Sequence, residues 1–264
     1  MKYLIFLSGK TGRTFLNYMD SIFSMSGLLY RILKIFVKGN YSGKKLVWAG
    51  IVEQIYFTAV QALKIIVPIS LILGTVFFLQ FSKFAEQHSL GNIAVIFLLR
   101  ETGPMISAIV VILRSATAVT TEIGYMNVRH EMDSIQMAGA DPLALICLPR
   151  VIGITTAILC LFIVFNLVSI LGGYVSAWAI SDISMHRFLV LIGKSISLTD
   201  ALAVSVKALA FGVIISIVCL YRGFEAKKSI TEVPVKTARA AVECFFYCLI
   251  FNVIISVVFS LKGW

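Results

Sequence analysis

Long apolar stretches alternate with short polar segments along most of this chain. Five of the stretches are long enough to cross a bilayer, and they lie at residues 51–81, 91–120, 151–180, 201–220 and 240–261. A spanning helix needs about 20 mostly apolar residues, because the hydrocarbon core is about 30 Å thick. The pattern therefore predicts an all-α polytopic membrane protein, in which residues 1–264 form one integral membrane domain with five transmembrane helices.

The N-terminal segment has a different pattern. Between Phe15 and Phe36, apolar residues recur every three or four positions, and polar residues occupy the opposite face. This period predicts an amphipathic helix over residues 11–38 that lies in the membrane interface instead of crossing it. The apolar run at residues 3–7 is too short for a signal peptide, so we expect no cleavage there.

A polar segment at residues 121–149 separates the second and third predicted spans. It contains a predicted short helix, which we expect to end at Gly139 and Asp141-Pro142. The apolar face of that helix would consist of Ile123, Met126, Met132, Ile135 and Met137. A surface helix between two membrane spans indicates a docking element for another protein. The segment also partly resembles the coupling loop of ABC importer permeases, with a shorter spacing.

Several short motifs are distributed over nearly the whole chain. They are Gln54-Ile55-Tyr56-Phe57-Thr58, Arg100-Glu101-Thr102-Gly103-Pro104, Glu122-Ile123-Gly124, Gly139-x-Asp141-Pro142 and Pro149-Arg150, with Met126 and Asp133 between them. In this order they resemble the MlaE family, the permease subunits of MCE-associated lipid ABC transporters. The chain departs from that family at residues 227–234, which read KKSITEVP where the family usually has a glycine-rich run.

The resemblance implies an inner-membrane permease for phospholipid, in a system that maintains outer-membrane lipid asymmetry. It implies a homodimer that assembles with cytoplasmic ABC ATPase subunits, a periplasmic MCE-domain protein and often a STAS-domain protein. ATP would bind to the ATPase subunits, so we expect no cofactor in this chain. The polar segment would then dock on the ATPase, and its candidate coupling residues are Glu122, Glu131, Asp133, Gly139, Asp141 and Pro142.

Composition and charge agree with a membrane protein. The chain is 59% hydrophobic, and its mean hydropathy of +0.95 is far above that of a soluble domain. Its net charge of +10 comes mostly from Lys and Arg at residues 2–45 and 222–239, on either side of apolar spans. This is the positive-inside pattern, which predicts a cytoplasmic N-terminus and a periplasmic C-terminus and argues against nucleic-acid binding.

Arg100 and Glu101 place two adjacent opposite charges inside the second predicted span. Each costs roughly 2.5–3.5 kcal/mol at the bilayer centre unless it is paired or hydrated. One explanation is structural: pairing with Lys207 or Glu243, or a helix break at Gly103-Pro104. The other is substrate binding, in which Arg100 and Glu101 contact a lipid headgroup, and the resemblance to the Arg-Glu-x-Gly-Pro motif of the MlaE family supports this second explanation.

Two other classes of function stay open at this point. An intramembrane lipid-modifying enzyme would need a nucleophile with an acid-base partner, but the predicted spans contain Ser, Thr and Cys without a His or Asp beside them. An ion-coupled carrier should have charged residues in several spans, and Lys207 and Glu243 leave that class open. The five Cys form no CxxC pair and the three His stand apart, so we expect neither a disulfide nor a metal site.

Overall fold

The computed structural model describes residues 2–38, 43–85, 98–181, 186, 190, 193, 198–227 and 229–261. These residues are helical and contain no β-strand, which confirms the predicted all-α class. The α-helices are α1 (Lys2–Lys38), α2 (Lys44–Ile55), α3 (Gln61–Ala85), α4 (Gly103–Val111), α5 (Thr117–Val128), α6 (Glu131–Met137), α7 (Leu148–Ser181), α8 (Leu198–Phe224) and α9 (Glu232–Leu261). Turns of π-helix lie at Tyr56–Val60, Leu98–Thr102, Ile112–Ala116 and Leu143–Cys147.

Five helical stretches in the described part of the chain are long and apolar enough to cross a membrane, as the hydrophobic pattern predicts. They are span 1 (Lys44–Gln80), span 2 (Arg100–Val128), span 3 (Leu143–Ala179), span 4 (Ala201–Phe224) and span 5 (Glu232–Phe259). Part of the second predicted span, at residues 91–97, lies outside the described residues, as do residues 86–90 and most of residues 182–197.

The helices extend beyond their predicted limits on both sides of the polar segment. Span 2 continues to Val128 instead of ending at residue 120, and span 3 begins at Leu143 instead of residue 151. The polar connection is therefore residues 129–142 and not 121–149. Ile123 and Met126, predicted to lie on the short docking helix, belong to α5. Hydropathy detects the part of a helix that contacts lipid, whereas these added turns are held by protein contacts.

Other helices also begin earlier than predicted. α1 begins at Lys2 and not at residue 11, and span 1 begins at Lys44 and not at residue 51. Span 5 begins at Glu232, eight residues before the predicted start at 240. The segment predicted as a long basic loop is thus mostly helical, and spans 4 and 5 are joined by a short connection.

Spans 1 and 3 run side by side in the same direction. Gly50 approaches Pro149 near one end of the pair, and Gly172 approaches Leu71 near the other. A Cβ atom added at Gly172 would lie only 2.5 Å from the Leu71 carbonyl oxygen, so the two backbones are in direct contact there. Glycine in the third span therefore permits close packing of the two helices.

Span 3 contacts spans 1, 2 and 4. Phe165 of span 3 and Phe211 of span 4 are fully buried between these helices. Spans 1 and 5 instead leave broad apolar faces open, on which Ile72 and Phe246 are 59% and 57% exposed. Those two faces are available for contact with lipid or with a second copy of the chain.

α1 contacts the rest of the molecule through a few side chains. Met25 and Ile32 are buried, whereas Phe23 and Val37 are strongly exposed. The helix contacts the start of span 3 and span 4. An apolar face left open on a helix beside membrane spans is the arrangement expected of an interfacial helix.

Candidate functional site: a buried charge cluster and an exposed short helix

The first part of the site is a cluster of polar side chains around the Glu101 carboxylate. Lys207 Nζ donates to both carboxylate oxygens, at 2.9 and 2.8 Å. Ser256 Oγ lies 3.0 and 2.9 Å from the same two oxygens, and Asn252 Nδ2 donates to one of them at 3.1 Å. Glu101 therefore ties span 2 to spans 4 and 5 within the membrane-spanning part of the molecule.

Lys207 makes the charge on Glu101 tolerable at this depth. Its side chain is fully buried, and its ammonium also contacts Ser256 Oγ at 2.7 Å. A buried ion pair persists only when further hydrogen bonds satisfy its remaining donors and acceptors, and this arrangement supplies them. Of the structural explanations for Glu101, pairing with Lys207 is the one found, while Glu243 pairs elsewhere.

Arg100 lies beside the Glu101 carboxylate and is partly buried. Its Nε is 3.9 Å from Glu101 Oε1, and the side chains of Arg100 and Glu101 keep 17% and 23% of their surface exposed. Both residues belong to the π-helical turn Leu98–Thr102, a local widening of a helix that is frequent at functional sites. Next to it, Gly103 leaves room for Asn166, whose buried Oδ1 lies 2.9 Å from where a Cβ would be. Part of the Arg100 and Glu101 side chains therefore stays accessible at this turn.

The second part of the site is α6, the short helix between spans 2 and 3. It begins after His130, which has a left-handed backbone (φ 58°), and it ends before Gly139, whose φ of 79° is easily adopted only by glycine. Met132 anchors one face of α6 in the protein, while Met137 is 82% exposed. A short helix held at both ends and open on one face can bind another protein.

The predicted coupling residues do not all lie on α6. Glu131 and Asp133 are exposed on its first turn, where His130 Nδ1 lies 2.8 Å from Asp133 Oδ2. The Asp141 carboxylate instead accepts the Leu143 N–H at 2.9 Å, and Pro142 follows it, so these two residues start span 3.

Glu122 lies outside α6 as well. Its carboxylate is 2.6 Å from Arg150 Nη2, which joins span 2 to span 3. The structure therefore groups Glu131, Asp133 and Gly139 on and beside α6, and it places Glu122, Asp141 and Pro142 at the helix ends that support it.

Residues 51–258 match the family model described as Permease MlaE. The chain belongs to the MlaE permease family. It is similar to "Intermembrane phospholipid transport system permease protein MlaE" of Haemophilus influenzae, with 29% identity over 197 residues, 73% of this chain and 76% of that protein. It is also similar to a "Probable ABC transporter permease protein" of Rickettsia prowazekii, with 28% identity over 213 residues, 79% of this chain and 82% of that protein.

A plant relative extends the comparison. The chloroplastic protein TRIGALACTOSYLDIACYLGLYCEROL 1 of Arabidopsis thaliana is 26% identical over 202 residues, which cover 75% of this chain and 58% of that protein. Membership of the MlaE family confirms the resemblance seen in the sequence. The chain is accordingly a multi-pass ABC transporter permease of the inner membrane and not an enzyme.

Two features of this MlaE permease were missed by the sequence analysis. Arg114 does not reach towards the membrane surface: its Nη1 donates to the Phe57 carbonyl at 2.8 Å, its Nη2 bonds the Gln61 carboxamide, and its guanidinium lies 5.2 Å from the Phe57 ring. Phe57 and Arg114 belong to facing π-helical turns of spans 1 and 2. No hydropathy signal marks such turns.

The second missed feature is an ion-pair network at the ends of spans 4 and 5. It consists of Arg222, Glu225, Lys236 and Glu243, all within the segment predicted as a basic loop or at its edge. Burial raises the pKa of Glu225, but hydrogen bonds from Lys236 and Arg222 lower it by more, so the net pKa lies below the usual range. The three-residue spacing of Arg222 and Glu225 on one helix was the available signal.

Proposed function

We propose that this permease moves phospholipid between the inner membrane and a periplasmic MCE-domain partner, with ATP bound and hydrolysed by separate cytoplasmic ABC ATPase subunits. The family and the name of the Haemophilus relative support this proposal. The structural observation that carries it is the charged cluster of Arg100, Glu101 and Lys207, which lies within the spans and keeps part of the Arg100 and Glu101 side chains exposed.

The chemistry of the cluster fits a phospholipid headgroup. The Arg100 guanidinium can donate two parallel hydrogen bonds to a phosphodiester, which a point charge cannot do. Glu101, fixed by Lys207 and by two side chains of span 5, holds Arg100 in place and can accept from an amine headgroup. The acyl chains would lie along the open apolar faces of the neighbouring spans.

Assembly would place two copies of the chain together. The open faces of spans 1 and 5 support a homodimer, and span 1 also exposes Glu53 and Lys64, charges that are costly against lipid. We propose that α6 of each copy docks on one ATPase subunit. A STAS-domain protein would join through the ATPase, as the family resemblance implies.

The orientation proposed is a cytoplasmic N-terminus and a periplasmic C-terminus. Asn127, at the end of span 2, donates to the Phe224 and Ala226 carbonyls at the end of span 4. The connection that carries α6 and the connection between spans 4 and 5 therefore share one side of the molecule. The Lys and Arg asymmetry supports the cytoplasm as that side.

A photo-crosslinkable phospholipid applied to the assembled, reconstituted complex tests this function. We expect Arg100→Ala to lower crosslinking and transport by about tenfold, since a charged hydrogen bond contributes roughly 1.5–3 kcal/mol. Arg100→Lys should restore part of both, and Arg31→Ala, at an exposed arginine of α1, should change neither.

Glu101→Ala separates the two explanations of the cluster. If Glu101 contacts lipid, the Glu101→Ala complex should assemble but crosslink weakly to the phospholipid. If Glu101 is purely structural, most of the variant should fail to insert, and the fraction that does insert should crosslink normally. Full crosslinking in both the Arg100→Ala and Glu101→Ala complexes would refute the headgroup site.

A further inference from the structure

Four charged side chains at the ends of spans 4 and 5 form a line of ion pairs, in the order Glu243, Arg222, Glu225 and Lys236. Both ends of this line lie on α9, so the α9 backbone completes a ring, and we refer to the four residues as the ring. Arg222 of α8 donates to Glu243 of α9 through Nε at 2.6 Å and Nη2 at 2.8 Å, and to Glu225 through Nη1 at 2.7 Å. Lys236 of α9 donates to the other Glu225 oxygen at 2.8 Å. Two cations and two carboxylates therefore close the turn between the two helices.

The ring is rigid for a physical reason. The planar guanidinium of Arg222 uses three nitrogens on two carboxylates, so its orientation is fixed from both sides. Arg222 is 4% exposed and Glu243 is 9% exposed, which leaves little water to replace a lost partner. Loss of one residue of the ring would leave a charged partner without its ion pair. For the same reason, movements of α8 relative to α9 that lengthen these ion pairs are unfavourable.

The ring is also fastened to the helix that carries α6. Asn127 of α5 donates to the Phe224 carbonyl at 3.0 Å and to the Ala226 carbonyl at 2.8 Å, on either side of Glu225. The hydroxyls of Thr121 and Thr237 are 3.0 Å apart. These bonds join the end of span 2 to both helices that carry the ring, and only Arg129 and His130 separate span 2 from α6.

We propose that this ring, Arg222, Glu225, Lys236 and Glu243, is the joint through which movement of α6 reaches the charged cluster at Glu101, an inference that rests on the proposed function. Lys207 is on the same helix as Arg222, about 22 Å away at 1.5 Å per residue. Ser256 is on the same helix as Glu243, about 20 Å away. With the ring closed, a push on α6 moves both helices together.

One ion pair of the ring spans the connection between the two helices. Glu225 follows α8 directly, and Lys236 lies four residues after the start of α9 at Glu232. The Glu225–Lys236 pair stiffens a connection that flexible residues would leave loose. Lys236 is thus a positioning residue, which acts through Glu225 and touches neither lipid nor ATP.

Lys236→Met in the complete transporter is the direct test, with lipid moved per ATP hydrolysed as the readout. We expect assembly and ATP hydrolysis to persist, while lipid moved per ATP falls about fivefold or more, the range of typical coupling energies. Lys236→Arg should restore the ratio, because it can still donate to Glu225. Lys227→Met is the matched control, since it removes the same charge from an exposed position of the same connection.

Asn127→Ala provides a second, independent test that leaves every charge in place. It removes the two bonds to the ends of span 4, and we expect the same loss of lipid moved per ATP. A normal ratio of lipid moved per ATP in the assembled Lys236→Met and Asn127→Ala complexes would refute the role of the ring and leave the proposed function intact. An equal loss in Lys227→Met would do the same. A wild-type complex that binds no ATPase or carries no lipid would instead refute the proposed function.

Discussion

Single backbone contacts decide how closely spans 1 and 3 can pack. A Cβ at Gly172 would lie 2.5 Å from the Leu71 carbonyl oxygen, and the nearest atoms belong to backbone that cannot rotate away. Gly172→Ala should therefore lower the free energy of unfolding by about 1–3 kcal/mol, as overpacking does elsewhere. Thermal unfolding of the purified protein in detergent measures the change.

Gly27 supplies the control for this prediction. It lies in α1, and a Cβ there would meet nothing within 4 Å. Because alanine is a better helix former than glycine, Gly27→Ala should leave stability unchanged or raise it by up to about 1 kcal/mol. Equal effects at the two positions would show that the backbones of spans 1 and 3 are farther apart at Gly172 than the 2.5 Å approach requires.

Residues of the candidate site could be predicted from the sequence where their side chains are unusual for their surroundings. Arg100 and Glu101 stood out because charge is costly inside an apolar span, and Lys207 was named as a structural partner for the same reason. Asn252 and Ser256 were not identified as partners, since neutral polar side chains are common in spans. They follow Glu101 by 151 and 155 residues, so only tertiary packing brings them together.

At the scale of whole elements, α6 is the part of the chain best suited to contact a partner. Its exposed side carries the acidic side chains of Glu131 and Asp133 and the apolar side chain of Met137. We expect Asp133→Lys to weaken binding of the ATPase about tenfold or more, corresponding to roughly 1.4 kcal/mol, with the permease still folded.

Copurification of the ATPase at graded concentrations measures this effect. Asp20→Lys is the matched control, because it makes the same charge reversal at an exposed position of α1. Wild-type affinity in Asp133→Lys would show that α6 is not the docking element.

Helix existence was easier to predict than helix length. Hydropathy found all five spans, but the last two turns of span 2 and the first turns of span 5 are polar and pack on each other. Gly124 of span 2 faces Val233 of span 5, where an added Cβ would lie 3.0 Å away. Such turns are held by neighbours distant in sequence. The sequence pattern alone therefore assigned the end of span 2 to the short docking helix and the start of span 5 to a loop.

For the whole molecule, the testable property is its orientation. Ser229 lies in the connection between spans 4 and 5, and Ser89 lies between spans 1 and 2, outside the described residues. In a cysteine-free background, a membrane-impermeant thiol reagent added outside should label Ser89→Cys and not Ser229→Cys.

Breaking the membrane should then expose the second site to the same reagent. Labelling of Ser229→Cys but not Ser89→Cys in intact cells would reverse the orientation proposed for both termini. The background is needed because Cys160 is exposed, whereas Cys147, Cys219, Cys244 and Cys248 are buried.

The cluster around Glu101 also constrains how the protein is made. Lys207 follows Glu101 by 106 residues, which at roughly 5–20 residues per second takes about 5–20 s to synthesise. During that interval Glu101 has Arg100 beside it but none of its later partners. Until span 4 arrives, the unpaired Glu101 charge costs roughly 2.5–3.5 kcal/mol at the bilayer centre, so we expect span 2 to be inserted less stably during synthesis than in the finished protein.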